Sequence, residues 1–256
     1  MPRWPNHEIA VSRRAALWLL GACAVLWTLD VLIQEFPNHP WVRQLQLVPG
    51  WLDLPRMILP YGGLLILFVT RRVRPAEVGF TLGSAGATFF WCFVPLLGVL
   101  LGILFAALAL GSLLYITGWK LPGQWLEPTA VHSLADWRAH WLRHLMWWCA
   151  DAPLLEEPLY RAMPYAALLP FVGKRGAILG VAIVWSALHF YYGWPAWMIP
   201  YYFIWWGICV TWFYSNSQSL ITTMLLHGFL NFIGPLLADV VILTQRDWLK
   251  QFFDLK

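Results

Sequence analysis

The sequence predicts an all-α fold, a polytopic membrane bundle of about seven transmembrane helices, with six to eight as the range. Three observations predict it. Of 256 residues, 60% are hydrophobic and 12% charged, where a soluble domain carries about 45–50% and about 25%. Mean hydropathy is +0.60, and 19 residues are tryptophan. The 63 consecutive residues from Gly176 to Ala238 hold no Asp, Glu, Lys or Arg, enough for three crossings at about 20 residues each. These runs do not alternate in polarity, so helices rather than strands satisfy their backbone in lipid. A net charge of +4, scattered over termini and short loops, argues against nucleic acid as a partner. Cys23, Cys92, Cys149 and Cys209 each sit in an apolar run without metal-like spacing and read as small buried hydrophobes.

The first helix covers Ala15 to Ile33. Its start, Ser12-Arg13-Arg14, with Leu20-Gly21-Ala22-Cys23 following, mimics an export or lipoprotein signal, but the run stays apolar past Cys23 and a retained helix explains it better. A second span is expected from Asp53 to Thr70, with Asp53 and Arg56 snorkelling. The third, Phe89 to Thr117, is long enough to require tilt or a bend near Pro95. A fourth runs from about His140 to Leu169 and alone carries several charges. Lys174-Arg175 forms the turn to a fifth, Ala177 to Tyr192, and Gly193-Trp194-Pro195 the turn to a sixth, Ala196 to Tyr214. The seventh covers Leu220 to Leu237, and residues 245–256 form a surface tail. Residues 1–256 read as a single integral-membrane domain, with 140–237 as its chemical core. Short loops place Arg3, Arg13 and Arg14, then Arg71, Arg72 and Arg74, then Lys174 and Arg175 on one side, so the amino terminus is expected in the cytoplasm.

Ionisable groups at membrane depth are the informative ones, since a charge near the bilayer centre costs at least about 2.5–3.5 kcal/mol. In Glu156-Glu157-Pro158-Leu159-Tyr160-Arg161, Glu157 and Arg161 are i and i+4 and can pair on one helix face. That reads first as a structural clasp. Glu156 points about 100° away; a carboxylate beside an arginine already satisfied suits a general base working near neutral pH. His189, in Trp185-Ser-Ala-Leu-His189, reads alone as a hydrogen-bonded core residue. His227 and Asn231 are i and i+4 in the seventh span, and can either donate to one oxyanion or bridge helices. Counted from Lys174-Arg175, Glu156 lies about 27 Å up the fourth helix and His189 about 21 Å up the fifth, so the two can meet. His227 comes out shallower.

These residues, in this order, resemble the CAAX protease and bacteriocin-processing family of intramembrane peptidases, whose pattern is EExxxR, FxxxH, then HxxxN or HxxxD. Glu156 to Arg161 match the first motif and His227 to Asn231 the last, while Trp185 stands for the phenylalanine before His189. Arg74-Pro-Ala-Glu77-Val-Gly79-Phe80 is similar to an interhelical loop common in the family. The resemblance implies a glutamate-type endopeptidase in which Glu156 activates water, His189 orients it, His227 and Asn231 stabilise the oxyanion, and Glu157 with Arg161 support the site. It implies a membrane-associated or lipidated protein substrate; compact loops suggest a prokaryotic inner membrane.

No cofactor is expected. Glu156, His189 and His227 are the set a divalent metal such as zinc would use, but no HExxH lies on one helix and the metal-free mechanism is favoured. Two other classes stay open: a transporter using the same groups as a proton relay, which lacks a matching motif in the first half of the chain, and a non-catalytic binding or immunity protein. Substrate identity and oligomeric state are not written in the sequence.

Overall fold

A computed structural model describes residues 9–36, 38–40, 53–81, 90, 97–98, 112–114, 116–118, 121–122, 149, 152–191, 199–233 and 253–254. Most of the expected third span, the start of the fourth before residue 152 apart from residue 149, the 193–195 turn, the end of the seventh helix and most of the 245–256 tail lie outside these. Among the described residues the regular structure is helical, apart from one two-residue parallel pairing of Leu121–Pro122 with Phe253–Asp254.

Helix α1 spans Arg13–Glu35, opened by Ser12, whose hydroxyl accepts from the Ala15 N–H at 3.1 Å. Helix α2 spans Asp53–Val69. The two run antiparallel: Asp30 near the end of α1 meets Arg56 near the start of α2, while Trp18 near the start of α1 lies under Arg72 just past α2. Helix α3, Ala152–Glu156, passes through a π-helical segment, Glu157–Ala162, into α4, Met163–Tyr191. A short α5, Ile199–Tyr201, a second π-segment, Tyr202–Cys209, and α6, Val210–Ser217, follow. Helix α7, Leu220–Ile233, closes the described core.

Among the described residues, two helices are long and apolar enough to cross a membrane, Arg13–Glu35 and the continuous run Ala152–Tyr191. The second is not one rod. Gly173 has φ 68° and ψ 178°, a conformation outside the helical region and open to glycine at no steric cost. Arg161 Cζ stacks 4.1 Å over the Trp185 ring. In an unbroken helix those residues stand about 36 Å apart, so the chain doubles back at Gly173 and α4 is a hairpin with arms 163–172 and 174–191. The fold-back comes at Gly173, just before the expected Lys174-Arg175 turn, and Lys174 Nζ instead donates to Asn216 Oδ1 at 2.8 Å.

The chain forms two compact units. One holds residues 1–91 and 151–225, the other residues 92–150 and 226–256. In the first, Ala162 and Tyr165 of one arm, Ala177 and Val181 of the other, and Tyr214 of α6 form a buried cluster, with Tyr165 and Tyr214 edge to face at 5.4 Å. Gly207 lets the second π-segment press on the second arm, since a Cβ there would lie 2.6 Å from Ala182 Cα.

The Arg74–Phe80 loop braces this unit. Glu77, buried in the 3₁₀ turn Pro75–Val78, accepts from the Arg74 N–H at 2.7 Å and from the Ser12 N–H at 3.4 Å. Gly79, at φ 67°, sits so close to Gln218 O and Tyr214 that a Cβ would approach both at 3.1 Å. Its carbonyl accepts the Leu220 N–H at 2.8 Å. Ser219 Oγ donates to Thr81 O and accepts from the Thr222 N–H, capping α7. The loop therefore sets where α7 begins.

Candidate active site

The motif glutamates lie where the helix changes pitch, and two prolines cause the change. Pro158 has no N–H to return to Leu154 O, the acceptor four residues back. Through the π-segment the ladder runs five residues back, so the Met163 N–H bonds Pro158 O. Leu159 O would next receive residue 164, which is Pro164. Carbonyls on either side of Pro158 also accept from neighbouring helices: the Tyr61 hydroxyl of α2 donates to Leu154 O at 3.0 Å, and Trp27 Nε1 of α1 donates to Leu159 O at 3.0 Å. A single π-segment thus holds α1 and α2 against the motif.

Glu157 and Arg161 are both fully buried. Arg161 Nε donates to Glu157 Oε2 at 2.5 Å and Nη2 to Oε1 at 3.2 Å. Nη1 donates to Trp206 O and to Thr211 Oγ1, each at 2.7 Å, and the guanidinium plane lies on Trp185. The pair, expected as a clasp on one helix face, is a clasp: one arginine ties the π-segment to the second arm, the second π-segment and α6. The tryptophan in place of phenylalanine gives the cation a wide ring, and Trp185 stacks in turn on Trp206 at 6.5 Å and on His189 at 5.5 Å.

Glu156 is half-buried, unlike its neighbour. Arg161 and Trp185 meet across the hairpin, and Glu156 lies five residues from Arg161 on one side as His189 lies four from Trp185 on the other. His189 Nδ1 lies 2.8 Å from Trp185 O. A carbonyl only accepts, so Nδ1 carries the proton and Nε2 is the nitrogen able to accept from water in the neutral ring. The imidazole stacks on Tyr202 at 4.0 Å, and Tyr202 is within electrostatic range of the Glu156 carboxylate. His227, buried, and Asn231, half-buried, lie one turn apart on α7.

A second buried ion pair was not foreseen. Asp30, fully buried in α1, receives Arg56 Nε at 2.6 Å, Gln34 Nε2 at 2.8 Å and the Tyr160 hydroxyl at 2.5 Å. Arg56 therefore turns inward to a partner instead of snorkelling. Tyr160 stacks on Trp27 at 5.9 Å. The signal was present: Asp30 is a lone acid inside the first apolar run, and Arg56 opens the next.

Among the described residues, no group of three His, Cys, Asp or Glu side chains converges closely enough to hold a metal ion.

Residues 138–233, which hold all three motifs, match the family model for type II CAAX prenyl endopeptidases, Rce1-like. That match agrees with the resemblance its motifs bear to the CAAX protease and bacteriocin-processing family. Neither the curated proteins nor the solved structures hold a match to the chain.

Proposed function

We propose that the chain is an intramembrane endopeptidase that cleaves a peptide bond in a membrane-associated or lipidated protein. The observation that carries this reading is that Tyr202 stacks on the His189 ring and is within electrostatic range of the Glu156 carboxylate, next to a glutamate–arginine pair occupied in holding the fold. The family match over residues 138–233 supports the same class.

In this mechanism Glu156 takes a proton from water as that water attacks the scissile carbonyl. His189, with Nδ1 committed to Trp185 O, presents Nε2 to orient the water. His227 and Asn231 donate to the developing oxyanion, and protonated Glu156 returns its proton to the leaving amine. Glu157 and Arg161 do no chemistry; they hold the backbone turn that carries Glu156. No step is routed through a metal.

We read the fold as a multi-pass bundle of about seven helices in a prokaryotic inner membrane. Outward-facing Leu17, Val25, Leu65, Ile66, Ile183 and Ile204 support a lipid environment. Arg13 and Arg14 at the start of α1 lie at the same end of the α1–α2 pair as Arg71, Arg72 and Arg74, which supports a cytoplasmic amino terminus.

The test is a comparison of membrane-protein termini in cells carrying the native chain and cells carrying Glu156→Gln. The reading expects at least one cut to disappear with the variant inserted at native levels; an unchanged set of termini would end it.

A further inference from the structure

Helices α1 and α2 do not close on each other along their whole length. Between them lies an apolar groove of about 860 Å³, lined by residues including Gly21, Ala22, Leu29, Gly62, Gly63 and Ile66. Small side chains hollow it out: a Cβ built on Gly21 or Gly62 meets nothing within 4 Å. Along α1 the lining runs from Trp18 to Ile33, about 22 Å of helix, more than the depth of one leaflet of a core about 30 Å thick.

The two ends differ in charge. Toward Ile33, the buried Asp30 already holds Arg56 and exposed Glu35 ends the helix, so among the described residues that end carries no excess of positive charge. At the other end Arg72 lies over the Trp18 ring, its Cζ 4.7 Å from the centroid, and its side chain is exposed. Exposed Arg13, Arg14, Arg71 and Arg74 stand at the same end of the helix pair. Among the described residues, Arg74 alone of these pairs with an acid, a 3.5 Å contact to Glu77.

An acyl-length apolar slot with an excess of arginine at its mouth complements a lipid with an anionic headgroup. We propose that the α1–α2 groove is a binding site for an anionic phospholipid, one acyl chain lying along Gly21 and Gly62 and the phosphate at Arg72. A zwitterionic lipid fills the same slot but brings its own cation to the arginines, so the site discriminates by headgroup. This assignment does not depend on the peptidase reading, since its readout is lipid retention.

The experiment is native mass spectrometry of the full chain released from micelles holding equal phosphatidylglycerol and phosphatidylcholine with identical acyl chains. One phosphatidylglycerol per chain is expected to be retained preferentially. Arg72→Gln, at an exposed position, should lower that retention roughly fivefold and leave phosphatidylcholine unchanged. Gly62→Leu, which fills the slot, should lower retention of both lipids, and Gly21→Leu serves as a second filling variant should Gly62→Leu unfold. Equal retention of the two lipids, or unchanged phosphatidylglycerol retention in Arg72→Gln, would overturn the proposal. So would displacement of the phospholipid by an equal concentration of an uncharged isoprenoid, which would assign the groove to a substrate's lipid tail.

Discussion

Two buried ion pairs meet at consecutive residues of one motif, and they are built differently. Glu157 and Arg161 come from the same helical segment, four residues apart, and the arginine spends its remaining donors on Trp206 O and Thr211. Asp30 and Arg56 come from different helices, 26 residues apart in sequence, and the aspartate is the hub, drawing in Gln34 and Tyr160. Arg161 faces α6 and the second arm of α4, whereas Tyr160, one residue earlier, faces α1 and α2. The π-segment is therefore held from two sides. Of the motif's polar side chains, Glu157, Tyr160 and Arg161 are buried in fixing the turn, while Glu156 is half-buried.

The comparison breaks most severely at Arg161. Arg161→Ala leaves Glu157 charged and buried without its partner, and unfolding in detergent should show a loss of about 3–5 kcal/mol. Arg161→Lys should recover only part of this, because a single ammonium cannot reproduce a planar fork bonded to Glu157, Trp206 O and Thr211 together.

Asp30→Ala strips Arg56 of its carboxylate, but Arg56 lies nearer the helix end with 14% of its side chain exposed. A smaller loss is expected, about 2–3 kcal/mol. The double variant Asp30→Ala/Arg56→Met should be more stable than the single aspartate variant, and a double-mutant cycle reads the coupling directly.

Gly207→Ala probes the helix contact that both sides of the motif rely on. With its Cβ 2.6 Å from Ala182 Cα, backbone has to move, at a cost of about 1–3 kcal/mol. Tyr160→Phe keeps the ring on Trp27 and removes one hydrogen bond to a charged acceptor. Its effect should be the smallest, about 1.5 kcal/mol, and a loss as large as that of Arg161→Ala would mean that the two sides do not hold the turn independently.

The ease of reading each pair from sequence follows from the same difference. Glu157 and Arg161 are legible because an i, i+4 spacing is a local rule, and His227 and Asn231 for the same reason. For Glu156 and His189 the sequence offered only helical rise as a guide to their relative height. Asp30 was not legible, since pairing between helices depends on how α1 and α2 pack. The π-segment was hidden too: Pro158 and Pro164 are visible in the sequence, but a kink and a π-turn are both available to a helix with prolines. Trp27 and Tyr61, which donate to carbonyls of this stretch, come from other helices and are beyond the reach of a local rule. Likewise Gly173 supplies a turn one residue before the Lys174-Arg175 pair that charge alone suggested.

The central claim is that two adjacent glutamates divide the work, Glu156 reacting and Glu157 holding. The most direct measurement takes purified Glu156→Gln and Glu157→Gln in the same detergent and records, for each, the unfolding temperature and the rate of the cut identified by terminal proteomics. Glu156→Gln should unfold within a few degrees of the native chain and show no detectable cleavage, while Glu157→Gln should unfold at a clearly lower temperature. Cleavage retained by Glu156→Gln, or equal destabilisation by both substitutions, would contradict the division.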